Sequence, residues 1–296
     1  MADYPASSEV TLDLRPFLHP LFQGLNAREP SGGISEFTFA NIYLFRHAHE
    51  YRVSILEGGL VLITGRDREK TFFMLPLGLP EKDAAKRLFK EFSFMKAATG
   101  AQAEFLRAAG YTALEDRDNF DYLYSRAELA RLPGRRFHKK KNLVNAFLGQ
   151  YRCEGMPLTD DRIKDALRIL EDWSRESRAR GDYIAAKEAL EKAGPLQLCG
   201  GIYYVDGKPA AYALGEELGT ETFAVHFEKG IGGIKGLNPL RGLMQFVNMS
   251  FAEILPSSYK FVNREQDLGD DGLRQAKESY RPVGFIKKYM ITTTAP

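Results

Sequence analysis

The densest group of residues able to perform acid–base or anion-binding chemistry lies near the C-terminal end of the sequence. Asn263, Arg264, Glu265 and Asp267 follow a short apolar pair that is typical of a buried strand end. Glu265 or Asp267 could accept a proton from an attacking amine, and Arg264, with Asn263 beside it, could bind a phosphate or carboxylate. These four residues are therefore candidates for catalysis and anion binding.

A charged helix is predicted directly after Gly269. Arg274 and Lys277 share one stripe of that helix, and Tyr280 lies on its apolar stripe. The two cations could bind an anionic substrate, and Tyr280 could protonate a leaving group. A well-capped surface helix explains the same charges, so the spacing leaves a site and a solvated face equally open.

A second candidate region is the Gly-rich loop after the strand predicted over 222–227. His226 near the end of that strand could act as a base, and Lys229, Gly230 and Gly232 could hold an anion before the next helix. The loop lacks the Walker and dinucleotide-binding patterns. A flexible connector also needs glycines, but the strand, glycines, lysine and helix together favour anion binding.

A basic run over 135–141 has six Arg, Lys or His side chains in seven positions. In and beside it, Lys139, Lys141 and Asn142 are candidates for binding the phosphates of a nucleic acid or an acidic head group. A solvated linker is an equally good explanation. No histidine or cysteine spacing in the sequence indicates a metal site, and no motif indicates a covalent nucleophile.

The overall composition is that of an ordinary soluble chain. The 296 residues include 41 basic and 39 acidic side chains, and this balance argues against a protein that coats nucleic acid. The first residues lack the basic and apolar regions of a signal peptide, and no apolar run approaches the ~20 residues that span a bilayer. We therefore expect a cytoplasmic protein without an integral membrane segment.

The elements that must position the candidate residues recur in one order. Short strands are predicted over 41–45, 51–56, 60–63 and 71–75, and helices follow them. A second set of strands and helices occupies 196–290. A strand meander followed by helices thus occurs twice, which predicts two similar α+β halves.

This repeated order also predicts the domain organisation. We expect an N-terminal domain over 1–135, a basic linker region over 136–160, and a C-terminal domain over 161–296 that carries the main candidate site.

Five segments resemble an uncharacterised bacterial family related to the soluble C-terminal part of phosphatidylglycerol lysyltransferases. The segments that carry the resemblance are Asn41-Ile-Tyr-Leu-Phe-Arg46, Lys139-Lys-Lys-Asn-Leu-Val-Asn145, His226-Phe-Glu-Lys229, Asn263-Arg-Glu-Gln-Asp-Leu-Gly269 and Gly272-Leu-Arg-Gln-Ala-Lys-Glu-Ser-Tyr280. The resemblance implies an α+β fold of two tandem GNAT-like domains, of the acyl-CoA N-acyltransferase type. Each domain would be a mostly antiparallel sheet flanked by helices, similar also to the Fem peptidyltransferases.

The same resemblance implies an acyl- or aminoacyltransferase. A coenzyme A compound or an aminoacyl-tRNA would donate the activated acyl group to an amine or hydroxyl acceptor, so a charged small molecule and tRNA are the expected partners. A second interpretation is a ligand-binding or sensor protein on a degenerate transferase scaffold. The loop over 229–236 departs from the GNAT pyrophosphate pattern, and the sequence leaves donor, acceptor, activity and oligomeric state open.

Overall fold

The computed structural model describes residues 1–29, 31–176, 181–232 and 240–293. The chain forms two compact units. Unit 1 comprises Met1–Tyr122, Gln266–Arg274 and Phe285–Pro296, and unit 2 comprises Leu123–Glu265 and Gln275–Gly284. Each unit therefore draws on separate stretches of the sequence.

Eleven α-helices lie within the described residues. They are α1 Arg15–Asn26, α2 Phe39–Leu44, α3 Lys82–Glu91, α4 Gly100–Ala108, α5 Arg126–Arg131, α6 His138–Leu148, α7 Ile163–Glu176, α8 Tyr183–Glu191, α9 Ala193–Leu196, α10 Leu243–Ile254 and α11 Asp271–Glu278. Short 3-10 helices occupy Leu12–Leu14, Arg117–Asn119, Arg135–Phe137 and Asp160–Arg162. Across the described ranges, no helix combines the length and apolarity needed to cross a bilayer.

The strands form two sheets. In chain order they are β1 Ala2–Asp3, β2 Ser8–Glu9, β3 Arg52–Ile55, β4 Val61–Asp67, β5 Lys70–Met74, β6 Phe94–Ala98, β7 Thr112–Glu115, β8 Asp121–Ser125, β9 Cys153–Pro157, β10 Cys199–Val205, β11 Lys208–Gly219, β12 Thr222–Gly230, β13 Phe261–Asn263, β14 Gly284–Ile286 and β15 Tyr289–Thr292.

The first sheet has the order β1-β3-β4-β5-β6-β15-β7, with β2 paired to β3. Strands β3, β4 and β5 form an antiparallel meander, β5 pairs with β6 in parallel, and β15 lies antiparallel between β6 and β7. The final strand of the chain therefore completes the sheet of the N-terminal half.

The second sheet has the order β14-β8-β13-β12-β11-β10-β9. It repeats the pattern of the first sheet: β10, β11 and β12 are antiparallel, and β12 pairs with β13 in parallel. Residues Leu123 to Ser125 of β8 then pair antiparallel with β13. A strand from early in the sequence therefore completes the sheet of the C-terminal half.

Apolar side chains cover the faces of both sheets. In unit 1, Leu62, Phe73 and Met95 pack with Leu88 and Phe89 of α3. The alternation of strand residues and the 3.6-residue stripe of α3 explain why these side chains meet, as the sequence predicts.

In unit 2, a smaller apolar cluster joins α6 to α10. Leu132, Phe137 and Val144 form it, and Phe246 and Met249 of α10 pack against it. This cluster fixes which face of α6 points inward, and it therefore decides how the basic residues of that helix are presented.

The prediction of a strand over 41–45 is wrong, because this segment is helix α2. The Thr38 side chain caps α2 by accepting a hydrogen bond from the Asn41 N–H, and every residue of the helix is buried. A short helix buried on all sides shows no apolar periodicity, so its sequence cannot be distinguished from a buried strand. Near the C-terminus, the second set of elements ends in two short strands, β14 and β15.

The sequence predicted domain boundaries at residues 135 and 160, whereas the two compact units are divided at other positions. The exchanged strands β8 and β15 lie far from their sheets in the sequence, so no single cut separates the units. The segment 136–160, expected to be a basic linker, contains α6 and β9 and is part of unit 2.

Candidate functional site

His226 occupies a β-bulge in β12. Leu214 of β11 pairs with Phe227, and Gly215 pairs with Val225, so His226 is the extra residue between these two pairs. Such a bulge redirects a side chain and interrupts the ladder. The His226 side chain is 1% exposed, so the bulge places an imidazole inside the unit.

A carboxylate contacts each ring nitrogen of His226. Nδ1 lies 2.7 Å from Glu265 Oε1, and Nε2 lies 2.9 Å from Glu216 Oε1. Burial opposes the imidazolium charge, but Glu265 and Glu216 outweigh burial and raise the pKa of His226 to about 10. At neutral pH both ring nitrogens therefore donate, and the imidazolium orients Glu265.

The backbone at Glu265 adopts a conformation that is uncommon for this residue type. Its φ is +53°, in the left-handed region. The Glu265 N–H donates to Asn263 Oδ1 over 2.8 Å, and Lys277 Nζ donates to the carbonyls of Arg264 and Glu265 over 2.6 and 3.1 Å. Asn263 and Lys277 thus hold the turn that aims Glu265 at His226.

The Arg264 side chain is 14% exposed, and most of its hydrogen-bond donors are unused. Nη2 donates to Glu228 Oε2, whereas Nε and Nη1 are buried and have no partner in the described part of the chain. The rings of Tyr124 and Tyr280 lie 5.8 and 5.3 Å from the guanidinium carbon. A buried donor without a partner costs about 1–3 kcal/mol, so these nitrogens are strong candidates for contact with a substrate.

Glu228 also receives a hydrogen bond from Asn248. Nδ2 of Asn248 donates to Glu228 Oε1 and to the Met244 carbonyl over 3.2 and 2.8 Å, and its Oδ1 is buried without a partner in the described ranges. Glu228 thus contacts a residue with unsatisfied donors and a residue with an unsatisfied acceptor. An anionic group together with an amine or hydroxyl hydrogen would satisfy them.

Lys140 of α6 joins Arg264 through the ring of Tyr280. Its Nζ lies 4.2 Å from the Tyr280 ring centroid. Burial and the nearby Arg264 charge lower the pKa of Lys140. Burial raises the pKa of Tyr280 to about 12, against the opposing influence of Arg264, so the phenol remains protonated. We call Arg264, Lys140 and Tyr280 the cationic cluster.

The residues at the start of the Gly-rich loop have partners within unit 2. Lys229 Nζ lies 2.6 Å from Asp182 Oδ2 and 3.8 Å from the Trp173 ring centroid. The Gly232 N–H donates to Glu176 Oε2 over 2.7 Å. One backbone amide of the loop is therefore already hydrogen-bonded to a carboxylate of the same chain. Residues 233–239 of the predicted anion loop lie outside the described residues.

Gly230 of β12 serves close packing. A Cβ at this position would approach Met244 Sδ to 2.6 Å and Ala211 Cβ to 3.3 Å. The absence of a side chain lets α10 lie directly on β12, so packing alone accounts for this glycine.

Asp267 and Arg274 lie in unit 1. The buried carboxylate of Asp267 accepts hydrogen bonds from Arg274 Nε and Nη2, Arg117, Tyr122 and the Gly269 N–H. Burial opposes ionisation, but the bonds from Arg274, Tyr122 and Gly269 hold the pKa of Asp267 well below its usual range. This saturated environment favours a role in bracing the loop over proton transfer.

The structure brings some predicted residues together and leaves others apart. Unit 2 assembles His226, Glu265, Asn263, Arg264, Lys277 and Tyr280 through the contacts above. Lys139, Lys141 and Asn142 are exposed on α6. Nowhere in the described residues do three His, Cys, Asp or Glu side chains converge as metal ligands.

Several contributors to the site were missed from the sequence, among them Lys140, Glu216 and Tyr124. Lys140 had a readable signal, because it lies three residues after Phe137 and four before Val144, on the buried stripe of α6. Glu216 and Tyr124 offer no such signal, since only strand pairing places them beside His226 and Arg264.

The sequence matches the family described as phosphatidylglycerol lysyltransferase, C-terminal, over residues 31–292. The chain belongs to this family. An uncharacterised protein of Mycoplasmoides gallisepticum is 23% identical over 204 residues, which are 65% of this chain and 62% of that protein. The chain thus spans less than two thirds of that relative.

Solved structures show the same fold. A conserved protein of unknown function from Bacteroides thetaiotaomicron has 28% identity and a TM-score of 0.81, covering 96% of this chain and 98% of that one. The C-terminal domain of a candidate lysylphosphatidylglycerol synthetase from Agrobacterium fabrum has 13% identity and a TM-score of 0.61, with coverages of 93% and 91%.

Two further structures identify the fold type. FemX has 10% identity, a TM-score of 0.55 and coverages of 97% and 96%. A tandem GNAT protein from the clavulanic acid pathway has 10% identity, a TM-score of 0.50 and coverage of 98% of each chain. The expected α+β fold of tandem GNAT type is confirmed, and family and fold together point to the GNAT-like superfamily of acyl- and aminoacyltransferases.

Proposed function

We propose that this protein transfers an acyl or aminoacyl group from an activated donor to an amine or hydroxyl acceptor, with the cationic cluster holding an anionic group of a substrate. The observation that carries the proposal is the pair of buried, unpartnered guanidinium nitrogens of Arg264. The N–H groups of Nε and Nη1 lie on different edges of the guanidinium, so separate acceptor oxygens of a bound phosphate or carboxylate substrate would satisfy them.

The charges around Arg264 support an anionic ligand. Lys140 and Lys277 add positive charge near Arg264, and Glu228 is the carboxylate paired with it. Lys277 is engaged with backbone carbonyls, which do not neutralise it. Burial and, after it, the Arg264 charge lower the pKa of Lys140. An anion bound between the two cations would relieve their repulsion.

The proposed reaction is direct attack of the acceptor on the donor carbonyl. The bond from the acceptor nitrogen or oxygen to the carbonyl carbon forms, and the ester or thioester bond of the donor breaks. Glu265 takes the acceptor proton, and Tyr280 is proposed to protonate the leaving oxygen or sulfur. His226 positions Glu265, while Asp267 with Arg274 braces the following loop.

Two donor classes fit this proposal, a coenzyme A thioester and an aminoacyl-tRNA. The exposed side chains of Lys139, Lys141 and Asn142 on α6 would contact the backbone of a tRNA, while Lys140 on the inward face reaches Tyr280. Such phosphate contacts weaken steeply as salt increases. A strong salt dependence of binding would therefore favour tRNA over the thioester.

The variant Arg264→Lys tests the proposal. It retains the charge for Glu228 but lacks the planar fork, so we expect at least about tenfold weaker donor binding, since a charge-assisted hydrogen bond contributes about 1.5–3 kcal/mol. The measurements are thermal shift and transfer of label with acetyl-coenzyme A and with tRNA carrying mixed radiolabelled amino acids.

The exposed Arg131→Lys variant on α5 is the matched control and should behave as the original chain. If Arg264→Lys binds the donor as tightly as the original chain does, the proposal is contradicted. Binding that depends on Arg264 but yields no transfer with any acceptor would instead support the second interpretation, a sensor on a transferase scaffold.

A further inference from the structure

Unit 1 contains a buried lysine that the proposed transfer reaction does not use. Lys96 lies in β6 at a second bulge: Tyr289 pairs with Ala98 and Ile291 with Met95, so β6 has one extra residue here. Ala97 within the bulge has φ +54°. Lys96 is only 7% exposed, so the distorted strand aims an ammonium group into the unit.

The Lys96 ammonium has no hydrogen-bond acceptor within residues 1–29, 31–176, 181–232 and 240–293. Lys96 Nζ lies 4.9 Å from the centroid of the Phe72 ring, in a cation–π contact. Glu36 is close enough to interact electrostatically with Lys96, but its carboxylate is bonded to Lys288 and Ser35. The Lys96 side chain is thus largely buried, and its ammonium keeps donors that a ligand could use.

Tyr51 supplies a second unused donor against the same aromatic ring. It is 5% exposed, its ring packs edge-on against Phe72 at 6.1 Å, and its hydroxyl has no hydrogen-bond partner in the described part of the chain. Burial, with Glu36 and Asp67, raises the pKa of Tyr51 far above its usual value. The phenol therefore stays protonated and can donate to an oxygen.

The charges nearby limit the ligand to a monoanion. Lys288 is already compensated by Asp121, whose Oδ1 lies 2.7 Å from Nζ, and by Glu36. Burial and the Lys96 charge lower the pKa of His49 to about 4, so its imidazole adds no positive charge at neutral pH. The acidic side chains of Glu36 and Asp121 would repel a dianion.

From this arrangement we propose that unit 1 has a separate binding site for a small carboxylate, in which one oxygen pairs with Lys96 and the other accepts from Tyr51. The Phe72 ring, which both donors contact, packs in turn against Phe94, with the ring centroids 5.7 Å apart. The site is independent of the residues of unit 2 proposed for acyl transfer, and it would take a free acid as ligand.

The test of this site is the thermal unfolding midpoint, measured in sodium formate and compared with that in sodium chloride of equal ionic strength. The unfolding midpoint of the original chain should rise with formate concentration. Lys96→Met should markedly reduce the rise, any remainder belonging to the cationic cluster of unit 2. Without formate it should unfold at a higher midpoint than the original chain, because a largely buried charge is replaced by an apolar side chain of similar length.

The exposed Lys90→Met variant of α3 removes the same charge and should respond to formate as the original chain does. Tyr51→Phe retains the ammonium but loses one hydrogen bond to the ligand. It should therefore need about fivefold more formate for the same rise in unfolding midpoint. This variant still tests the site if Lys96→Met folds poorly. An equal formate response in Lys96→Met or in Tyr51→Phe, or no response in the original chain, would overturn the proposal.

Discussion

His226 is a buried cation of unit 2 and Arg264 a mostly buried one, and their hydrogen bonding differs. His226 has a carboxylate on each ring nitrogen, so its hydrogen bonds are complete. Arg264 has one carboxylate for three nitrogens, and two of these donors have no partner among the described residues. The satisfied cation therefore suits a positioning role, and the unsatisfied cation suits contact with a ligand.

The raised pKa of His226 predicts how stability depends on pH. Its pKa is about 10 in the folded chain against a reference of 6.5, so the folded state retains the proton that the unfolded state loses. The stabilisation should be complete below about pH 6.5 and should disappear as pH rises through about 10.

Urea unfolding across this range should show that the free energy of unfolding falls by a few kcal/mol more in the original chain than in His226→Gln, which cannot titrate. Parallel pH profiles for the two proteins would contradict the assignment of an imidazolium between two carboxylates.

At the scale of elements, a bulge occurs in each sheet beside a buried cation. In β12 the bulge holds His226, and in β6 it holds Lys96 and Ala97, which lie between the paired residues Met95 and Ala98. A regular strand alternates its side chains between two faces, so an extra residue changes which face the following side chains occupy. The bulges thus decide the direction of the functional side chains.

The bulge in β12 depends on Gly215 of β11. A Cβ at this position would lie 1.9 Å from the Ala224 carbonyl oxygen, so Gly215→Ala should push the strands apart beside His226. We expect a loss of at least about 2 kcal/mol in unfolding free energy and weaker donor binding, measured by urea unfolding and thermal shift.

Gly24→Ala in α1 is the control, because a Cβ there meets nothing within 4 Å. That substitution should stabilise the chain by about 0.5–1 kcal/mol. Full stability of Gly215→Ala would show that β11 and β12 can separate without cost at the bulge.

At the scale of the whole molecule, each sheet contains a strand from a distant part of the sequence. Strand β15 lies between β6 and β7, and Lys288 just before it is buried between Asp121 and Glu36. Unit 1 is therefore incomplete until the end of the chain has been added.

Truncation after Ile286 should destabilise unit 1. It removes a strand from within the sheet and leaves two carboxylates without their buried counter-charge, and breaking such a pair alone costs about 3–5 kcal/mol. Amide hydrogen exchange should show lost protection in β6 and β7. Lys287→Met removes an exposed ion pair with Glu115 and a 5.9 Å contact with the Phe120 ring, and it should leave protection unchanged.

Unaltered exchange in β6 and β7 of the truncated chain would contradict the placement of β15. The full-length variant Lys288→Met separates the two contributions, because it removes the charge but retains the strand.

The sequence by itself determined most elements and the family of this protein. Apolar alternation and turn residues predicted β3, β4 and β5, and their recurrence predicted two halves, because these signals are local to each segment. The prediction failed for α2, where complete burial removes the periodicity that distinguishes helix from strand. The clustering of Asn263, Arg264 and Glu265 was visible in the sequence because these residues are consecutive.

Only the tertiary structure decided which of those residues are in contact, which have hydrogen-bond partners and which are buried. Glu216 and Glu265 lie 10 and 39 residues from His226 in the sequence, and strand pairing brings both carboxylates to one imidazole. The exchange of β8 and β15 and the burial of Lys96 likewise depend on contacts between distant segments. Pairing and burial are properties of the folded chain, so no local pattern could specify them.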